Sequence, residues 1–418
     1  MSRIERAVAV YAPVTPPQRP LLQVLLVFLR LGLSSFGGPI AHIGYFRREF
    51  VERRGWIAPQ EFAGLLALCQ FLPGPASSQM GIAIGLRRAG VMGALAAWIG
   101  FTLPSALLLV AFGLKIVDPG LPHHASWVHG LLVAAVAVVA QAVLAMSGQF
   151  CRTAVQWVLA GGAALACLWG GTGLTQIVVL AAAAAAGSIL LRAGADLPPI
   201  ASAHASALTR RFGAGCLVAF VLLLVSLPLA AALSGNHALI LVDRFYRTGS
   251  LVFGGGHVVL PLLQAQLVPP GWISNQRFLA GYAAAQAMPG PLFSFAAYLG
   301  ATMTPRPHGW AGAALCLLAI FLPSFLLVFG VTPFWDSLSR REGVRRALQG
   351  INAAVVGVLF AALCTPVFTS AILRPADLAL AVIGLVLLLR WRTPSWAVLL
   401  LCTAGSVLLH ALGQASAG

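Results

Sequence analysis

Charge is what this chain has least of. Only 9% of its 418 residues are charged and only ten are acidic, whereas soluble domains carry about 25% charged residues. That shortage excludes an ordinary soluble domain. None of the carboxylates falls in the middle of an apolar run, where a cation site or a carboxylate proton relay would need one; Glu49, Glu52, Glu61 and Asp243 all sit near expected helix ends. The seven cysteines (Cys69, Cys151, Cys167, Cys216, Cys316, Cys364, Cys402) are scattered, mostly inside apolar runs, and no two have metal-ligand spacing. They read as small buried hydrophobes, and no metal or cofactor is expected. No Gly-Lys-Ser/Thr follows Gly254-Gly255-Gly256, so the triplet is not a phosphate loop and the chain is not by itself an ATP-driven pump. No Ser/His/Asp or zinc-hydrolase pattern occurs, which leaves an enzyme without its chemistry. The N-terminal 20 residues are polar and Pro-containing, without a cleavable signal pattern.

What remains is apolar. Hydrophobic residues make up 59% of the chain, and the mean hydropathy is +0.91. Runs such as 91–114, 214–233 and 311–332 are long enough to cross a hydrocarbon core about 30 Å thick. The net charge of +16 is carried almost wholly by arginine. These arginines fall in short loops between apolar runs, so they mark a cytoplasmic membrane face rather than a nucleic-acid surface.

One stretch occurs twice. Phe28-Leu29-Arg30-Leu31-Gly32 and Phe36-Gly37-Gly38-Pro39 match Phe245-Tyr246-Arg247-Thr248-Gly249 and Phe253-Gly254-Gly255-Gly256 at an offset of 217 residues. Gly55-Trp56-Ile57 and Gln70-Phe71-Leu72-Pro73-Gly74-Pro75 match Gly271-Trp272-Ile273 and Gln286-Ala287-Met288-Pro289-Gly290-Pro291 at 216. A third shared block is Leu103-Pro104-Ser105 with Leu322-Pro323-Ser324. The chain is a duplicated unit, and function is expected where the copies meet.

Each copy opens with four apolar pieces too short to cross alone: 21–36, 40–51, 61–72 and 76–86, then 238–253, 257–268, 277–288 and 292–303. Gly/Pro breaks separate them, since proline cannot continue the helical hydrogen-bond ladder and glycine disfavours the helix interior. Two hairpins of half-helices with tips inside the membrane account for each set. Full spans are expected at 91–114, 129–146, 153–169 and 175–191, and again at 311–332, 347–367, 377–389 and 395–412. The run 214–233 has no partner in the other half. Arg53, Arg54, Arg87 and Arg88, then Arg192, Arg210 and Arg211, then Arg340, Arg341, Arg345 and Arg346, then Arg390 and Arg392 all fall on one side only if 214–233 inverts the second copy. Arg244 and Arg247 fall near the outer side and fit least well.

The expected architecture is therefore an all-α polytopic membrane protein of two inverted-topology repeats. Each repeat has re-entrant half-helices plus about four transmembrane helices, and an extra transmembrane helix joins them. The segments are a cytoplasmic tail (1–20), a first repeat (21–192), a linker (193–237) and a second repeat (238–418), with the C-terminus outside.

Helices that begin in mid-membrane aim unpaired N–H groups and a positive dipole end at whatever lies there, which favours an anion. The candidate substrate site is therefore built from the breaks: Gly37, Gly38, Pro39, Pro73, Gly74 and Pro75, with Gly254, Gly255, Gly256, Pro289, Gly290 and Pro291. Ser34, Ser35, Ser77, Ser78 and Ser294 add hydroxyl donors, and Gln70 and Gln286 add amides. Arg30 and Arg247, at equivalent positions, suit bidentate oxyanion binding. His42 and His257 follow the breaks and fit packed histidines better than titrating ones, although His257 stays a candidate site residue. His123-His124 reads as solvated.

With these motifs in both halves, roughly residues 22–412, the chain resembles the chromate ion transporter family in its long, two-domain form. The resemblance implies a bacterial inner-membrane transporter that exports chromate and confers resistance, with sulfate, another tetrahedral dianion, as competitor. The lipid bilayer is its surroundings, nucleic acid is no partner, and a homodimer stays open. A sulfate or other oxyanion permease is the alternative. A membrane-embedded lipid-phosphate enzyme would need a catalytic acid or an activated nucleophile near the tips, and none is there. The second copy departs at Gly256-His257 (Pro39-Ile40 in the first) and at Phe293-Ser294 (Ser77-Ser78), so the first half is expected to be the more polar.

Overall fold

A computed structural model describes residues 20–116, 126–170, 173–192, 208–253, 258–304, 306–339, 341–391 and 393–415. The expectations about the N-terminal tail, His123-His124, the Gly254–Gly256 triplet and His257 lie outside these residues. Among the described residues every regular element is helical.

The first copy opens with α1 (Pro20–Ser34), α2 (Gly38–Phe46, continued by a π-helical turn Arg47–Arg53) and α3 (Pro59–Phe71). Then comes α4 (Ala76–Ile116), which reverses direction at Ala89-Gly90 and so consists of two antiparallel arms. The remaining helices of this half are α5 (Ser126–Phe150), α6 (Ala154–Gly170) and α7 (Gly173–Leu190). The linker helix α8 is Arg210–Ser234. The second copy comprises α9 (His237–Leu251), α10 (Val259–Leu267), α11 (Asn275–Ala287), α12 (Phe295–Thr302, after a 3-10 turn Leu292–Ser294) and α13 (Gly309–Val331). A 3-10 turn and α14 (Trp335–Leu338) lead to α15 (Glu342–Ala362), a π turn and α16 (Thr369–Ala371), then α17 (Pro375–Arg390) and α18 (Ser395–Ala415).

The short pieces are re-entrant. α1 descends from Gln23, whose side chain accepts from Arg88, and α2 returns beside it, with Phe28 packed on Phe46 and Phe50. Phe50 stacks on Trp56, and Arg54 and Arg88 both lie over the Trp56 ring. The second hairpin, α3 with the first arm of α4, opens at the same level, because Glu61 near the start of α3 pairs with Arg87. The other copy repeats the plan around Trp272. His237 packs edge-on to that ring, Arg244 sits 3.8 Å above it, and Thr304 donates its N–H to the Trp272 carbonyl. Each copy thus has one mouth, marked by a tryptophan and arginines.

The two mouths face opposite ways. The second arm of α4 leaves the first mouth at Gly90, and its far end, Gly113, rests on Thr302 and Tyr298 at the second mouth. From Gly93 to Gly113, at 1.5 Å per residue, is about 30 Å, the thickness of a hydrocarbon core. Helix α13 runs the other way and ends with Gly330 against Gly213 of α8. α8 then crosses back and delivers the chain to His237 in the second mouth. Of the five helices long enough to span among the described residues it is the most outward, with only Gly213, Cys216 and Ala231 buried.

The halves interlock. α5 packs on α17 and α18, while its counterpart α15 packs on α6 and α7. Glycine allows a close approach within each copy: Gly85 meets Gly93 backbone to backbone in the first, and Gly300 meets Gly312 in the second. Three helices expected to span are short. α6, α7 and α17 have 17, 18 and 16 residues, below the roughly 20 that cross unaided. Each packs one face on a longer helix of the other copy and leaves the opposite face open, with Val158 72% and Leu174 70% exposed.

Candidate functional site

The breaks of the two copies meet each other. The tip Pro73-Gly74-Pro75 donates the Gly74 N–H to the Val252 carbonyl at 2.6 Å, just before the break of the second copy. The tip Pro289-Gly290-Pro291 donates the Gly290 N–H to the Ser35 carbonyl at 3.0 Å, just before the break of the first. Val252 and Ser35 are equivalent positions, so the exchange is reciprocal. Both tip glycines have left-handed φ, 122° and 105°, a region that costs any other residue strain. Each also lies against a serine of the opposite copy. A Cβ on Gly74 would stand 2.9 Å from Ser324 Oγ, and one on Gly290 2.7 Å from Ser105 Oγ.

Around this crossing lie several buried polar groups. Ser105 Oγ donates to the Thr102 carbonyl and lies 2.6 Å from Ser294 Oγ. Gln79 Nε2 donates to the Pro73 carbonyl at 2.6 Å and holds the first tip. His42 is 1% exposed, rests against Phe101, and turns Nε2 to the Ser35 carbonyl at 3.1 Å. A ring nitrogen facing a carbonyl carries the proton, so Nδ1 of the neutral ring is the acceptor, and it has no partner. Ser35, Ser78 and Ser324 hydroxyls and Gln79 Oε1 are likewise buried without a hydrogen-bond partner. Polar atoms left bare in an interior are uncommon and call for a ligand or a second state.

Of the expected residues, the structure therefore brings together Ser35, Pro73, Gly74, Pro75, Ser78, Pro289, Gly290, Pro291 and Ser294. Ser77 is buried at the start of α4, and Gly37, Gly38 and Pro39 form the entry of α2, with φ 99° and 75° at the glycines. Gln286 is half-buried and hydrogen-bonds the Tyr282 hydroxyl rather than standing free. Others fall elsewhere. Arg30 and Ser34 lie on the outward face of α1 with Leu26 and Leu33, opposite the inward Val27, Phe28 and Leu31, and the Ser34 hydroxyl is satisfied by the Arg30 carbonyl. Helical spacing forces this, since residues 26, 30 and 33 share one face. Gln70 is also exposed. Arg247 is ion-paired with Asp243 one turn away, a partner replaced by Leu26 in the first copy. The two arginines are thus equivalent in sequence and unlike in setting.

Ser105, Ser324 and Gln79 are site residues that motif reasoning passed over. The Leu-Pro-Ser block is duplicated, which was its signal, but only packing across nearly 190 residues brings Ser105 to Ser294. At the first mouth Glu49 accepts from Arg54 at 2.5 Å and Arg53 at 3.1 Å. Burial alone would push this carboxyl up; the two guanidiniums outweigh it and hold it below the ordinary value. Among the described residues no cluster of three or more His, Cys, Asp or Glu could hold a metal.

Inverted repeats whose broken helices meet inside a membrane-spanning bundle define a secondary transporter. The chromate transporter family model matches residues 22–188 and again 239–407, and the chain belongs to that family. It is 28% identical to the chromate transport protein of Pseudomonas aeruginosa over 93% of this chain and 92% of that one. It is 27% identical to the chromate transport protein of Cupriavidus metallidurans over 90% of each. It is also 27% identical to a probable chromate transport protein of Synechococcus elongatus over 82% of this chain and 84% of the relative. No solved structure matches the chain. The protein is a multi-pass membrane transporter and not an enzyme.

Proposed function

We propose that this chain exports chromate across a bacterial inner membrane and so confers chromate resistance, with the oxyanion passing between the crossed tips. The observation that carries this is the reciprocal exchange Gly74 to Val252 and Gly290 to Ser35, which gathers helix breaks and bare buried hydroxyls in one place. The names of the curated relatives supply the substrate. Hydroxyls, amide N–H groups and a helix start are all donors, and a tetrahedral dianion is all acceptor. The binding set is Ser35, Ser77, Ser78 and the Gly/Pro breaks, with Ser294 taken up by Ser105 beside it. Arg30 and Arg247 are outside it.

Electrostatics favours export. A dianion leaving a negative cytoplasm gains about 4.6 kcal/mol at 100 mV, enough for roughly a thousandfold gradient. The arginine-rich first mouth is cytoplasmic in this reading, together with the N-terminus, and the second mouth and the C-terminus are periplasmic. The test is chromate flux into inside-out vesicles with an imposed interior-positive potential and no pH gradient, with sulfate as competitor. Accumulation that sulfate inhibits is expected. Sulfate moving while chromate does not would replace the substrate and keep the scaffold.

A further inference from the structure

Four serines stand at two equivalent crossings. Ser105 and Ser294 form one pair, and the repeat maps them onto Ser324 and Ser78. The first pair is closed on itself: Ser294 donates to Ser105, which donates to the Thr102 carbonyl. The second pair is bare. Ser78 is 2% and Ser324 0% exposed, and neither hydroxyl has a partner. The residue matching Thr102 is Phe321, so the second pair lacks that carbonyl's setting, and the residue matching Phe295 is Gln79, whose Nε2 donates to the Pro73 carbonyl at the same tip. Two buried hydroxyls that pair in one copy and stay unpaired in the other are the same device in two settings.

We infer that Ser78 and Ser324 are the hydroxyl donors that grip the oxyanion in this conformation, and that Ser105 with Ser294 is the same half-site closed on itself. This rests on the oxyanion-transport reading above. It adds Ser324 as a binding residue and makes the Ser105–Ser294 pair a latch rather than a second grip. In an inverted repeat the opposite-facing state has the two settings exchanged, with Ser78 on Ser324 and the other pair open. The buried, bare state of one pair is what an empty grip requires.

The test compares two double variants, Ser78→Ala with Ser324→Ala and Ser105→Ala with Ser294→Ala, in the purified full-length protein. Equilibrium binding of radiolabelled sulfate and of chromate is measured, together with thermal stability without anion and chromate flux in vesicles. The first double variant is expected to bind either anion at least about tenfold more weakly, as loss of hydrogen bonds to a charged group requires. Its stability without anion stays level or rises, because the hydroxyls removed had no partner. The second double variant is expected to melt lower, to keep binding within about threefold, and to lose flux. Equal loss of binding in both doubles would overturn the asymmetry while sparing the oxyanion site. Unchanged binding in the first double, with wild-type flux intact, would make its hydroxyls mere packing and overturn the inference. Binding and transport of neither anion by the wild type would remove the oxyanion reading, and this inference with it.

Discussion

The two crossings share a backbone and two matched serines and differ in most of the other side chains around them. Both use a Pro-Gly-Pro tip, a glycine with φ above 100°, a donated N–H across the repeat boundary and a facing serine. At the first tip the helix opens with Ser77, Ser78 and Gln79, whereas at the second the same places hold Phe293, Ser294 and Phe295, all buried. The mouths differ in the same sense. Glu61 and Arg87 pair at the first, and their counterparts at the second are Arg277 and Met303. Duplication has preserved the geometry of the breaks and let side-chain polarity drift to one copy. What two copies must keep in common is therefore the backbone exchange, and what they can divide is the chemistry.

The sharpest way to break that likeness is at the tip glycines. Gly74→Ala and Gly290→Ala each force a β-carbon into the left-handed region, at about 1–2 kcal/mol, and push it onto the facing serine. Vesicle flux should fall more than tenfold in both. Full flux in either variant would show that its tip is not held as described. A smaller set of effects should separate the mouths. Glu61→Gln strands Arg87, whose side chain is 17% exposed, and should cost about 3 kcal/mol, as breaking a buried pair does. Arg277→Gln at the equivalent place should cost less than about 1 kcal/mol; thermal unfolding of the purified variants reads both. Similar losses would mean that the ion pair carries no special weight.

Much of this was legible in the chain. Breaks at Gly37-Gly38-Pro39 and Pro73-Gly74-Pro75, the inverted second copy and the extra helix 214–233 follow from motif duplication and arginine placement, because proline, glycine and charge act locally. The site was legible only in part. Arg30 looked functional from its depth and duplication, yet one turn of helix decides whether a side chain faces the core, and α1 turns it outward. Ser105 and Ser324 were visible as a repeated block, but their role arises from contact between copies, which no local pattern encodes. Gln79 follows Ser77-Ser78 and has no duplicate, so repetition could not point to it.

The arginines supply the smallest expected difference. Arg247→Ala leaves the buried Asp243 without its partner and should lower stability by about 1–3 kcal/mol. Arg30→Ala removes an exposed side chain; it should change stability by less than about 0.5 kcal/mol and leave chromate flux within about threefold of wild type. Loss of flux in Arg30→Ala would return it to the binding set.

The two sets of half-helices enter from opposite faces and meet at their tips. Single cysteines introduced at the exposed Glu52, in the first mouth, and at the exposed Pro270, in the second, test this directly with a membrane-impermeant thiol reagent on intact spheroplasts and on inside-out vesicles. The native cysteines described are buried or half-buried and serve as the background. Labelling of position 270 only from outside and of position 52 only from inside is the predicted result. Labelling of both from the same side would contradict the inverted arrangement, and with it the crossing on which the transport account rests.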